Sequence, residues 1–143
     1  ALNLSKSPKV PLMAEALQHL GSRAALVVHG QGFDEVAISG ETSAVALAGG
    51  ALTARCIVPE DAGLPRHPNE ALKGGSPDYN AERLKALLAG HADAYRDMVL
   101  LNAAAALMVA GHAEDWQSGM EEAAEAIDKG LAKALLDCWI AYK

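Results

Sequence analysis

Aromatic residues make up only 4% of this 143-residue chain. A core of stacked rings is therefore excluded, and the interior has to be built from Ala, Leu, Val, Ile and Met. Cysteine is equally scarce, with Cys56 and Cys138 alone and far apart. Two distant cysteines make neither a disulfide framework nor a zinc-type ligand set, so free thiols in a reducing, cytoplasmic setting are expected. Both are read as core-packing residues, Cys56 in a strand and Cys138 in a helix. No run of Lys or Arg occurs, and the formal charge is −6, which argues against a nucleic-acid platform. The longest apolar stretch, residues 98–110, is interrupted by Asn102 and is too short to cross a bilayer. No secretory signal pattern is visible.

What is present is a chain that is 51% hydrophobic, long enough to bury a real core as one domain or as part of a larger one. Its organising stretch is residues 24–36, AALVVHGQGFDEV. Ala25, Leu26, Val27 and Val28 form a short apolar, partly β-branched run closed by Gly30 and Gly32, the pattern of a buried strand ending in a turn. Adjacent carboxylates follow at Asp34 and Glu35. A strand that ends in a glycine loop carrying two acids places hard oxygen ligands at a sheet edge, where they can hold a divalent metal and, through it, a phosphate. The same acids would also serve as ordinary solvated turn residues.

The remaining pattern is that of an α/β or mixed α+β layer. Pro11 suits the first turn of a helix reaching Leu20, with Leu12, Met13, Ala16, Leu17 and Leu20 as its apolar stripe and Gly21 as its stop. After the acids, Val36, Ala37 and Ile38 are expected to form a second strand. Residues 44–48 and 52–58 flank Gly49-Gly50, which reads as a hairpin with a primed turn. Residues 59–77 make a long loop rich in Pro, Gly and charge, with His67 read as a surface residue. Ser76 and Pro77 start a helix; a second spans residues 92–110 and is apolar nearly all round, its Asn102 needing hydrogen-bond partners. A third starts near Asp115, with an acidic face at Glu121, Glu122, Glu125 and Asp128. Gly130 breaks it, and the last turns are expected to pack Trp139 and Ile140 back onto the body.

Several of these stretches together resemble the C-terminal part of the anthranilate phosphoribosyltransferase family, within the nucleoside-phosphorylase-like glycosyltransferases. They are MAEALQHLG and ALVVHG, then GFDEV, IVPEDAGLP and LKGGSPDYNAERL, then DMVLLNAAAALMVAG and EEAAEAIDKGLAKALL. They span residues 12–136, whereas residues 1–9 match poorly. The resemblance implies a partial α/β glycosyltransferase domain over residues 12–143, a mixed sheet with flanking helices, preceded by a poorly matching segment at 1–11. It implies transfer of phosphoribosyl from phosphoribosyl pyrophosphate (PRPP) to anthranilate, with release of pyrophosphate, in tryptophan biosynthesis. It further implies Mg2+ bound by Asp34 and Glu35, and a homodimeric intact enzyme. Phe33 and Gln31 depart from the family's usual residues without removing a carboxylate. The family's GTGGD phosphate loop and KHGN-type segment are absent from the sequence, so the chain is expected to be incomplete and inactive in isolation. Three alternatives stand beside this reading: a same-fold transferase with a different acceptor, a non-catalytic binding module, and a metal-dependent hydrolase for which His29 would be a weak general base.

Overall fold

The computed structural model describes residues 8–142. Helix α1 (Lys9–His19) leads through a short connection, residues 20–23, into strand β1 (Ala24–Gly30), followed by β2 (Thr42–Ala48) and β3 (Ala51–Ile57). These strands form an antiparallel sheet in the order β1-β2-β3. Two single-turn 3-10 helices, at Pro59–Ala62 and Asn69–Leu72, punctuate the long loop, and helices α2 (Pro77–Leu88), α3 (Ala94–Ala110), α4 (Trp116–Asp128) and α5 (Leu131–Ala141) complete the chain.

The β2–β3 hairpin forms where the glycine pair predicts it. Ala48 faces Ala51, leaving Gly49 and Gly50 as the two turn residues, and their φ values of 56° and 78° are those of a type I′ turn, whose twist matches that of the strands. The sheet has two covered faces. On one, α1 brings Val10 and Ala14 against Val45, with Val27 and Leu52 at the margin. On the other, α3 packs Met98, Leu101 and Ala105 against Ala44, Ile57, Val36 and Ile38. Leu101 and Ile38 are almost fully buried, each worth about 1.5–3 kcal/mol of transfer free energy. A separate cluster joins α3 to α4 through Leu100, Ala123 and Ile127, with Leu87 of α2. Close approach of α3 and α4 depends on Gly119: a Cβ there would lie 2.9 Å from that of Ala104.

Helix starts follow the sequence signals. Ser76 accepts a hydrogen bond from the Tyr79 amide at 3.3 Å ahead of Pro77, and Asp115 accepts from the Ser118 amide at 2.8 Å while the Ser118 hydroxyl bonds back to the Asp115 amide. Both satisfy amides that a helix N-terminus leaves free. Helix α3 starts at Ala94, two residues later than expected, because Asp93 caps it through the Arg96 amide.

Five expectations are corrected. The apolar stripe expected on α1 is exposed at Leu12, Met13 and Leu20, and the helix buries Val10 and Ala14 instead. Residues 36–38 are buried but form no strand: the Val36 and Ala37 amides are bonded to side chains and not to a neighbouring strand. Cys56 and Cys138 are exposed free thiols rather than core residues. Cys56 sits on β3, the far edge of the sheet, and Cys138 on α5, none of whose residues is buried. For the same reason Trp139 and Ile140 do not pack back; each is 73% exposed. His67 is half-buried, with Nε2 2.8 Å from Asp97 Oδ2 and its amide donating to the Ile38 carbonyl. Among the described residues no helix is long and apolar enough to cross a membrane.

Candidate metal centre

The two carboxylates singled out in the sequence leave the end of β1 through a tight reversal. Gly30 and Phe33 exchange both backbone hydrogen bonds, at 2.8 and 3.0 Å, around Gln31 (φ 50°) and Gly32 (φ 89°). Two successive positive φ values make this another primed turn. Gln31 tolerates its left-handed conformation where its side-chain amide reaches the Glu41 carbonyl at 3.1 Å. Asp34 and Glu35 follow immediately, both exposed to solvent.

The next residues are locked. The Val36 amide donates to Asn102 Oδ1 at 2.9 Å, and Asn102 Nδ2 donates to the Val36 carbonyl at 3.0 Å and to the Met98 carbonyl on its own helix. One step on, the Ala37 amide donates to Oγ1 of Thr42, which is fully buried at the start of β2. Gly30 belongs to the same knot: a Cβ there would meet Thr42 Oγ1 at 2.5 Å and the Cβ of Ala37 at 2.7 Å. The acids are thus an exposed pair strung between a reverse turn and a clamped, buried tripeptide. Their backbone is fixed on both sides while their oxygens face water.

His29 lies close by, its Nδ1 3.8 Å from Asp34 Oδ1, too long for a hydrogen bond. Among the described residues, no three His, Cys, Asp or Glu side chains converge tightly enough to cage an ion on their own. A pair of exposed carboxylates therefore fits a hard cation that keeps much of its water and takes further oxygens from a substrate, which is the habit of Mg2+ and not of structural Zn2+. The loop opens beside β1 into a broad cavity of about 780 Å³, bordered by Lys9, Val27, His29 and Asp34.

Sequence reasoning found the two acids and gave Asn102 a structural hydrogen-bonding role, which it has. It missed Thr42 and the close contact at Gly30. No sequence pattern signals either, since both depend on how the loop between β1 and β2 folds back on itself.

Known proteins resemble the chain over most of its length. The family model described as "Glycosyl transferase family, a/b domain" matches residues 2–133. Anthranilate phosphoribosyltransferase of Novosphingobium aromaticivorans is 47% identical over 141 residues, covering 98% of this chain and 43% of its own length. That of Xanthobacter autotrophicus is 50% identical over 138 residues, covering 96% and 40%. Among solved structures, anthranilate phosphoribosyltransferase of Thermus thermophilus superposes with a TM-score of 0.86 at 38% identity, covering 94% of this chain and 40% of that one. The Saccharomyces cerevisiae enzyme in complex with PRPP and Mg superposes at 0.81 with 26% identity, covering 92% and 38%. The chain therefore spans well under half the length of the relatives it matches.

Proposed function

Because the chain belongs to the glycosyl transferase family, a/b domain, we propose that it forms the metal-carrying part of an anthranilate phosphoribosyltransferase, with Asp34 and Glu35 as the Mg2+ ligands. The observation that carries this reading is the built loop. Two adjacent carboxylates are exposed, yet the backbone around them is held by the Gly30–Phe33 turn, by Asn102 and by Thr42. A solvated turn needs no buried clamp on its exit; a metal loop does, because ligands must stay within a fraction of an ångström of their working positions.

In the proposed reaction the amino nitrogen of anthranilate forms a bond to C1 of the ribose as the C1–O bond to pyrophosphate breaks; the electron pair leaves with pyrophosphate and the amine loses a proton. Mg2+ held at Asp34 and Glu35 would supply positive charge to the departing pyrophosphate, where negative charge builds up. The chain's own residues position that charge: the turn aims the acids, and the Asn102 and Thr42 bonds keep residues 36 and 37 from shifting when they are engaged. The acceptor-binding segments expected from the family have no counterpart in this sequence, and this chain alone is expected to show no transferase activity. The intact protein is proposed to be a cytoplasmic homodimer.

The test is a chimaera in which this chain replaces the matching 43% of the N. aromaticivorans enzyme. Calorimetry should show PRPP binding that requires Mg2+, and the Asp34→Asn/Glu35→Gln variant should lose it while keeping the parent's far-UV spectrum. Unchanged binding in the double variant would remove both residues from the metal site.

A further inference from the structure

Val36, Ala37 and Ile38 follow Glu35, and each bonds through its backbone to a different part of the chain. Val36 is held by Asn102 of α3, and the Ala37 amide by Thr42 at the start of β2. The Ile38 carbonyl accepts from the His67 amide at 3.0 Å. The first two clamps are side chains rooted in regular structure. The third is a backbone bond to the long loop, so it is only as firm as His67 itself.

His67 is held through both its backbone and its ring. It precedes Pro68, which confines it to extended backbone, and Pro68 is extended in turn, with φ −68° and ψ 148°. Leu64 and Leu72, before and after it in the loop, pack against the core that α3 shares with the sheet. The ring is tied to α3: its Nε2 lies 2.8 Å from Asp97 Oδ2, and both side chains are 26% exposed. A carboxylate at that distance accepts the Nε2 proton, which fixes the tautomer and the orientation of the ring. A hydrogen bond to a charged acceptor is shorter and stronger than one between neutral groups. Asp97 is fixed as well, its amide donating to the Asp93 carbonyl in the first turn of α3.

Helix α3 therefore reaches the segment after the acids twice. Asn102 grips Val36 directly, and Asp97 grips Ile38 through His67. Two anchors on one helix fix both the position and the direction of the segment, whereas one leaves it free to pivot. Direction matters because Asp34 and Glu35 are exposed, so their aim comes from the backbone that carries them.

Resting on the metal reading above, we propose that His67 is a positioning residue for the metal loop, with Asp97 as the group that orients it. Together they hold Ile38 in place, and with it the aim of Asp34 and Glu35 at the metal. A pair that only fastened the loop could sit anywhere along it; this one sits on the residue bonded to Ile38. Groups that never touch an ion but orient its ligands typically set its affinity by about 10- to 100-fold.

The experiment is Mn2+ titration of the chimaera with PRPP present, free Mn2+ being read by electron paramagnetic resonance. His67→Leu and Asp97→Leu should each weaken Mn2+ binding about 10-fold. The double variant should lose no more than either single one, because the two residues act as a unit. His67→Gln, whose side-chain amide can donate to Asp97, should recover most of the affinity. In this chain without metal, the leucine variants should speed exchange of the Val36 and Ala37 amides about 10-fold, although the partners of those amides are untouched. Asp115→Ala, which loosens α4 and touches none of these residues, should leave both readouts at the parent's values. His67→Asn, too short to reach Asp97, replaces His67→Leu if that protein does not fold, with the same loss expected. Unchanged Mn2+ affinity in a folded variant, additive losses in the double variant, no recovery with His67→Gln, or an equal loss in Asp115→Ala would each overturn the inference. A parent chimaera that binds no Mn2+, or an Asp34→Asn/Glu35→Gln chimaera that binds it as the parent does, would instead overturn the metal reading, and the inference with it. The two failures are thus told apart by the parent and the double-acid variant alone.

Discussion

Asn102 and Val36, 66 residues apart in sequence, form a closed pair: the side-chain amide of Asn102 meets both the amide and the carbonyl of Val36, at 2.9 and 3.0 Å. A side chain thereby stands in for a neighbouring strand, directly after Glu35. Asn102→Leu would leave two backbone groups without partners in a mostly buried setting. The expected loss is about 2–4 kcal/mol of stability, measured by urea unfolding, with Asn102→Asp nearly as damaging because it keeps the acceptor and loses the donor. A loss below about 0.5 kcal/mol would show that water replaces the clamp without cost.

The second clamp gives a sharper steric test. Gly30→Ala would push a methyl group to 2.5 Å from Thr42 Oγ1 and 2.7 Å from the Ala37 Cβ. Neither neighbour has room to withdraw, because Thr42 is fully buried and Ala37 nearly so. The expected cost is about 1–3 kcal/mol, with a displaced loop and weaker Mg2+-dependent PRPP binding in the chimaera. Thr42→Val, which keeps the shape and removes the acceptor of the Ala37 amide, should cost a similar amount through a different mechanism.

The helix cap at Asp115 sets a pH dependence. The Ser118 amide, and then its hydroxyl, hold the Asp115 carboxyl below its ordinary value of 3.8. A depressed acid contributes stability that is complete above the unfolded pKa and lost as pH falls through the lower folded value. The start of α4 should therefore fray only in strong acid, below about pH 3.8. Amide exchange at Gln117 and Ser118 reads this directly, and Asp115→Ala should show the frayed behaviour at neutral pH.

The exposed thiols and the exposed face of α5 give a fourth test. Both Cys56 and Cys138 are open to solvent, so two thiols should react with a water-soluble disulfide reagent in the native state; one or none would contradict their placement. Trp139 is 73% exposed, and Trp139→Ala should change the stability of this chain by no more than about 0.5 kcal/mol, against the 3–5 kcal/mol typical of a buried tryptophan.

These residues also show what a sequence can and cannot convey. The apolar run of β1, the Gly49-Gly50 hairpin and the starts of α2 and α4 were legible because each is governed by residues within a few positions of one another. Asp34 and Glu35 were legible as a pair at a strand end, and Asn102 as the one polar residue of an apolar helix. The strand expected at residues 36–38 was an error of the opposite kind: an apolar triplet reads as β, but its backbone bonds are supplied by side chains, Asn102 from 66 residues away and Thr42 from the start of the next strand. Cys56, Cys138, Trp139 and Ile140 have core-like chemistry but lie on an outer strand and an outer helix. Burial there depends on what covers those elements, which residue type alone does not encode.

The central claim is that Asp34 and Glu35 hold the metal that carries PRPP. The most direct measurement is paramagnetic line broadening by Mn2+ in place of Mg2+, recorded on the chimaera with PRPP present. The account predicts that the amides of residues 32–36 broaden first, that those of α5 are unaffected, and that the Asp34→Asn/Glu35→Gln variant abolishes the effect. Broadening centred elsewhere, or persisting at residues 32–36 in that variant, would contradict it.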